Sequence, residues 1–239
     1  WTDGLRIDVS VDLLHTDLNY RDPQNDVDAK STLQPLPTAA IAMRVADAPR
    51  PIAVGLGLFL PAGFGAEWEM THPVYGTQTY LSQAALFKLL PAVSIDLGAG
   101  ISVGGAIGPA FETAEIEAPL TFQTGALAGT PVLADTQLDG FGYAWNVGIQ
   151  WKATERLTLG AAFIGATAMD LDGHFSVDGT GVIPFPDATA NYDAELRNTW
   201  PMSAGLGGTY RFDVATVSLD FLWFGWSSAF DGLTFNLQN

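Results

Sequence analysis

The stretch FGYAWNVGIQW, residues 141 to 151, places Phe141, Tyr143, Trp145, Val147, Ile149 and Trp151 at every second position and fills the positions between them with glycine, alanine and polar residues. A helix would smear this pattern around its circumference, whereas an extended strand sorts it onto two opposite faces. The same period governs LRIDVSVDLL, where Leu5, Ile7, Val9, Val11 and Leu13 oppose Arg6, Asp8, Ser10 and Asp12. It returns in TAAIAMRVA, in PIAVGLGLFLP, between Phe87 and Val103, from Leu157 to Gly165, in WPMSAGLGGTY and in VSLDFLWFGW. About nine strands are predicted, each near the length of roughly ten residues that crosses a bilayer at a tilt.

The connections alternate in length. Short ones fall near residues 47–51, 95–99, 152–156 and 211–215, and long ones near 20–36, 61–82, 110–140 and 170–195. Consecutive antiparallel strands turn at alternate ends, so one end of the sheet is short-looped and the other long-looped, as in an outer-membrane barrel. A Greek-key sandwich seldom sorts its loops this way.

The second face separates a lipid-facing wall from a soluble core. A soluble sandwich covers its outer face with Lys, Glu, Thr and Gln. Here that face holds Gly142, Ala144, Gly148, Gly160, Ala162, Gly205 and Gly207, with scattered Arg6, Asp8, Asn146, Gln150, Lys152 and Arg197. The apolar face therefore meets hydrocarbon, and the other lines an interior holding water, ligand or a plug. Trp151, Tyr210, Trp223 and Trp145 fit aromatic girdles at headgroup level, and each taken alone also fits ordinary core packing.

Composition narrows the classes. The 239 residues are 48% hydrophobic, enough for a single folded domain over residues 1–239. Cysteine is absent, which removes disulfides and thiol chemistry. Twenty-six acidic against ten basic residues give a net charge of -16, which repels phosphate backbones, so nucleic acid is not expected as a partner. No run approaches the roughly 18 apolar residues of a membrane helix, which leaves a closed sheet as the way to span a bilayer. The expected fold is all-β, an antiparallel up-and-down transmembrane β-barrel.

Four segments, PIAVGLGLFLPAGFGAEWE, LLPAVSIDLGAGISVGGAIG, WNVGIQWKATERLTLGAAF and AELRNTWPMSAGLGGTYRFDVATVSLDFLWFGWSSAF, together resemble the FadL/TodX (OMPP1) family of outer-membrane transporters of hydrophobic compounds. The resemblance covers nearly the whole chain. It implies a monomeric barrel of fourteen strands with an amino-terminal plug, passive movement without a cofactor, and sideways release of substrate into the membrane through a gap beside a kinked third strand. The partners implied are hydrophobic small molecules such as long-chain fatty acids or aromatic hydrocarbons, together with outer-membrane lipid and lipopolysaccharide. With about nine strands and no plug segment, the chain is expected to be a fragment lacking the plug and the last strands.

The candidate gap lies along Gly55, Gly57, Pro61, Gly63 and Gly65. Glycine brings no side chain into the lumen, proline cannot donate a ladder hydrogen bond, and Gly63 and Gly65 permit unusual dihedrals. The same residues also fit a strand that ends at Pro61 and enters a loop. Phe64 and Trp68 stand in the long connection that follows, and Leu14, Phe59, Leu222, Phe224 and Trp226 project from the otherwise polar face toward the long-loop end, so these seven residues are expected along the substrate path. A fatty-acid carboxylate would need a cation, which Arg6, Arg44, Lys152 or Arg197 could supply. Each could equally pair with Asp8, Asp12, Asp220 or Glu195 across the wall.

Two other functional classes fit parts of the sequence. An enzyme would draw on MDLDGHFSVDG, where His174 lies near Asp170, Asp172 and Asp178, but the spacing matches no calcium or zinc motif and no triad can be assigned, so neither catalytic residues nor a metal are expected. A solvated acidic loop explains that segment as well. A barrel serving as an assembly subunit or surface-attachment partner would use a protein partner on its loops or wall.

Overall fold

The computed structural model describes residues 4–30, 33–45, 50–184, 188–229 and 235–238. One antiparallel sheet contains nearly every strand. Its order begins β1 (Leu5–His15), β4 (Leu33–Val45), β5 (Ile52–His72), β6 (Gly76–Gly98), β7 (Ile101–Thr121) and β8 (Pro131–Lys152). A small hairpin of β2 (Asn19–Arg21) and β3 (Asp26–Asp28) rides between β1 and β4 in sequence.

Beyond β8 the wall is built from broken strands. β9 (Leu157–Ile164) pairs the last turn-proximal part of β8, and β10 (Thr167–Asp178) pairs its first half. The pairing moves by one residue between Asn146↔Ile164 and Gly142↔Met169, so Gly165 and Ala166 form a bulge within a single stave. β11 (Thr189–Trp200) and β12 (Ser203–Arg211) continue one another across Pro201, and β13 (Thr216–Phe224) and β14 (Phe235–Gln238) follow on the far side. Counted as staves, the described wall has the nine expected from the sequence, in up-and-down order.

The faces follow the period of two. Trp145, Ile149 and Leu159 are 40%, 46% and 37% exposed and point outward, with no second layer of the described residues covering them. The outward belt runs from Trp151 and Tyr210 near the short turns to a row of Phe87, Phe111 and Phe141, which sit directly opposite one another. Phe111 and Phe141 meet edge to face at 5.2 Å. Trp223 departs from the girdle expectation. It lies in mid-belt, opposite Ala204, and Trp145 folds its ring over Gly165.

The long connections of the sequence reading are largely strand. β5 and β6 remain paired up to His72↔Gly76, and β7 and β8 up to Thr121↔Pro131. Their alternation survives past the phenylalanine row with polar residues on the outward face: Thr113, Asp139 and Asp172, then Glu115, Gln137 and His174. Apolar periodicity fades there although the ladder does not, because the outward face has left hydrocarbon for water.

Candidate functional site

The inward face changes character halfway along the wall. Near the short turns it carries Ala53, Ser94, Gly104, Gly148 and Ala162 and borders an open hollow of about 660 Å3, whose lining includes Arg6, Asp8, Asn146 and Ile164. Farther up it is packed. Leu86, Leu90, Ala110, Leu138, Ala144, Met169, Leu171, Ala194 and Leu196 are all buried and form one cluster, with Phe59, Phe175 and Trp200 against it.

Glycine lets the sheet curl tightly enough for this. A Cβ on Gly140 would fall 2.1 Å from the Asp170 carbonyl oxygen, and one on Gly142 2.2 Å from that of Ala168 and 2.7 Å from Met169 Sδ. With those positions bare, β7 reaches β11 across the interior. Asn198 Nδ2 and Trp200 Nε1 donate to the Glu112 carboxylate at 2.6 and 2.9 Å, and Glu112 is 1% exposed. One row lower, Lys88 Nζ on β6 donates to Thr167 Oγ1 on β10 at 3.1 Å, and Thr167 is fully buried. Two polar crossbars thus bind the packed waist.

The third stave breaks at the same level. β5 pairs β6 as Phe59↔Lys88 and then as Ala62↔Leu86, leaving one extra residue at Leu60–Pro61. The bulge exchanges the faces: Phe59 points inward below it, Trp68 and Met70 point inward above it, and Glu67 and Glu69 point outward. On the other side, the ladder between β4 and β5 runs from Val45↔Ile52 to Thr38↔Phe59 and stops, while β4 continues along β1 to Leu33. The facing segments carry Pro35, Pro37 and Pro61, which cannot donate ladder bonds. A backbone bond from Lys30 N–H to the Glu67 carbonyl, 2.7 Å, joins the two sides again higher up.

The glycines of this strand act by their size. None of Gly55, Gly57, Gly63 and Gly65 is among the residues with positive φ, so the unusual dihedrals expected at Gly63 and Gly65 are replaced by ordinary extended backbone. A Cβ on Gly57 would lie 2.3 Å from the Phe59 ring, which folds over the bare backbone there. Gly55 and Gly57 face the lumen, and Gly63 and Gly65, above the bulge, face outward.

Of the residues expected along the path, Phe59 and Trp68 come to this region, and the Trp68 indole N–H is buried without a hydrogen-bond partner among the described residues. The Phe64 side chain lies outside the described residues. Leu14 projects inward on β1, whereas Leu222 and Phe224 project inward on β13 and Trp226 lies in a 3-10 turn, Trp226–Ser228, so these four stand at opposite edges of the sheet and away from Phe59.

The four expected cations are also dispersed. Arg6 lines the lower lumen and is bound by Asp8 at 2.7 Å. Arg44 is on the inward face of β4, and Lys152 ends β8 at the short-turn side. Arg197 departs from the expected lumenal placement: it points outward, 76% exposed, at 3.8 Å from Asp170. The bulge at Gly165–Ala166 is the cause, since it shifts the parity of β10 and β11 relative to β9 and β12. His174 likewise lies on the open outer wall, 3.6 Å from Asp193.

Sequence reasoning missed Lys88, Glu112, Thr167, Asn198 and Trp200. The available signal was a charged residue at a lumen-parity position inside an apolar stretch, Lys88 between Phe87 and Leu89 and Glu112 beside Phe111. Their cross-lumen partners depend on the curl of the sheet, which pairwise alternation does not encode.

Above the phenylalanine row the outer wall is acidic. The Glu117 carboxyl is held above the usual carboxylate range, first by burial and then by Asp135, Glu115, Glu67 and Glu69. Lys30 bridges Glu67 and Glu69 at this rim and joins the hairpin-bearing connection to β5.

The model of the outer membrane transport proteins OMPP1/FadL/TodX matches residues 4–238. Comparison with curated proteins by sequence gives no match. Among solved structures, a Pseudomonas aeruginosa FadL homologue superposes with a TM-score of 0.74 at 18% identity, covering 98% of this chain and 61% of its own. The P. putida toluene transporter TodX gives 0.79 at 17% identity, with 99% and 65% covered. The Ralstonia pickettii toluene transporter TbuX gives 0.69 at 20% identity, with 96% and 63% covered. The chain thus spans less than two thirds of the length of these structures, and at such identities the likeness establishes the fold. The chain belongs to the OMPP1/FadL/TodX family of outer membrane transport proteins, and its strands form a barrel wall in the bacterial outer membrane.

Proposed function

We propose that this wall belongs to a monomeric channel for the passive passage of hydrophobic compounds, long-chain fatty acids or aromatic hydrocarbons, which leave sideways between β4 and β5. The observation that carries this reading is the end of the β4–β5 ladder at Thr38↔Phe59, where lumen-facing Phe59 stands beside a bulge and three prolines bound the open stretch. The packed interior supports the same reading, because the apolar side chains at the waist obstruct a straight descent and leave the wall as the easier way out. Outer-membrane lipid and lipopolysaccharide would contact the outward belt, and no cofactor is needed for movement down a gradient. The likeness to toluene transporters and to a FadL homologue is compatible with either substrate class.

Uptake of labelled long-chain fatty acids and of aromatic hydrocarbons, measured in a deletion strain and in the same strain complemented with the full-length gene, tests the proposal. Faster uptake of at least one apolar class on complementation is the expected result. Unchanged uptake of every apolar compound tried would overturn it.

A further inference from the structure

Above the phenylalanine row the outward face of the wall is polar but not flat. An open hollow of about 540 Å3 spans β6, β7, β8 and β10, and Gln83, Thr113, Glu115, Gln137, Asp139 and His174 form its polar rim. Ala85, opposite Gly63, keeps the floor low at one end. The ladders set these side chains in two rows above Phe87, Phe111 and Phe141: Thr113 beside Asp139, then Gln83, Glu115, Gln137 and His174. Height decides what the rows face. They lie two and four residues beyond the phenylalanines, roughly 7 and 14 Å along the strands. At a barrel tilt of about 40° this is about 5 and 10 Å above the edge of the hydrocarbon, the depth of a headgroup layer. The end of a barrel with the long connections is the external one, so the layer belongs to the outer leaflet, whose glycolipid offers sugar and phosphate.

The chemistry of the rim chooses between these two. No lysine or arginine of the described residues lines the hollow, and the carboxylates of Glu115 and Asp139 repel a phosphate. Asp139 also stands directly opposite Asp172, a like-charge pair that donors from a ligand would relieve. Hydroxyls supply such donors, because an O–H bond to a carboxylate is charge-assisted. The amides of Gln83 and Gln137 carry donor and acceptor side by side, as a ring of adjacent hydroxyls requires. Gln83 already donates to Glu115, which fixes both side chains at the rim. No group of three acidic or histidine side chains among the described residues is set to hold a metal ion, so the hollow is not built to take phosphate through a bridging cation.

We propose that this hollow binds a pyranose ring of the outer-leaflet glycolipid through its hydroxyl groups, while the acyl chains descend past Phe87, Phe111 and Phe141 into the hydrocarbon. The proposal rests on the lipid contact given above for the belt and adds a place and a chemistry to it: sugar is recognised and phosphate is not. Passage of hydrophobic compounds is not required for it.

Native mass spectrometry of the purified full-length protein, stripped of lipid and kept in detergent with EDTA, tests the site. Three lipids compete for it: lipid A, lipid A freed of both phosphates, and phosphatidylglycerol, which has a phosphate and no sugar ring. The expected result is that both forms of lipid A are retained at least about tenfold better than phosphatidylglycerol, the range of one hydrogen bond to a charged group. The preference should vanish when Gln137→Ala and Asp139→Ala are combined. Retention of the phosphate-free form no better than that of phosphatidylglycerol would overturn the proposal, and this comparison on the wild type requires no variant to fold. If lipid A binds only while it keeps its phosphates, the phosphate is the recognised group and the proposal also falls. A preference that survives the double substitution would place the sugar elsewhere on the wall and overturn it as well. Uptake is not read here, so failure of this test leaves the channel reading standing, and unchanged uptake leaves the sugar site standing.

Discussion

Trp200 on β11 donates its indole N–H to the Glu112 carboxylate on β7 at 2.9 Å, although β8 and β10 stand between those strands in the sheet. The bond is a chord across the curl, and with the Asn198 bond at 2.6 Å it holds the packed waist together. Glu112→Ala removes the acceptor of both donors and leaves them without a partner in an apolar interior. The expected loss is about 2–4 kcal/mol of stability, with Glu112→Gln losing less because one acceptor oxygen remains. Urea unfolding of the purified protein in liposomes, followed by tryptophan fluorescence, measures both.

The curl itself rests on missing side chains. Gly142→Val would put Cβ against the Ala168 carbonyl at 2.2 Å, a backbone atom that cannot yield without moving the strand. Gly160→Ala is the control, because its Cβ would meet Ile149 O only at 3.7 Å. The first substitution should cut the folded, heat-modifiable fraction recovered from the outer membrane, and the second should leave it unchanged.

Restoring the missing backbone donors tests the opening. With Pro37→Thr and Pro61→Thr combined, β4 and β5 gain N–H groups along the facing segments and the ladder can extend beyond Thr38↔Phe59. Uptake of the transported compound should fall several-fold at equal amounts of protein in the outer membrane. Slower amide exchange at residues 60–65 would report the added bonds.

The acidic rim carries a pH dependence of known sign. The Glu117 carboxyl is raised by burial and by Asp135, Glu115, Glu67 and Glu69, so its ionised form weakens the folded rim. That penalty is present in full above the raised folded value, declines as pH falls through it, and is gone below the ordinary glutamic acid value. Glu117→Gln should therefore slow proteolysis of the β7–β8 hairpin at neutral pH and make no difference at low pH. A protective effect that grew on acidification would have the wrong sign.

The fold was legible because its governing force repeats every second residue. Phe141, Tyr143, Trp145, Val147, Ile149 and Trp151 point outward together in the structure as they alternate in the sequence, and the short turns fall where the breaks in that alternation put them. Two features broke the reading. Single-residue bulges at Leu60–Pro61 and Gly165–Ala166 reverse the faces downstream, which moved Arg197 to the outside and Trp68 to the inside. The waist depends on how far the sheet bends: Glu112 and Trp200 meet only because Gly140 and Gly142 let β8 and β10 turn sharply, and no local pattern announces a contact between residues 88 positions apart.

Everything rests on the outward belt touching acyl tails, and spin-label accessibility along β8 tests this most directly. Nitroxides placed one at a time from residue 143 to residue 150 in the full-length protein, reconstituted in liposomes, would be scanned for collision with oxygen, which concentrates in hydrocarbon. High oxygen accessibility at 143, 145, 147 and 149, with low values at 144, 146, 148 and 150, is the predicted result. Uniformly low oxygen accessibility at the odd positions would contradict it, since those side chains would then be packed against protein.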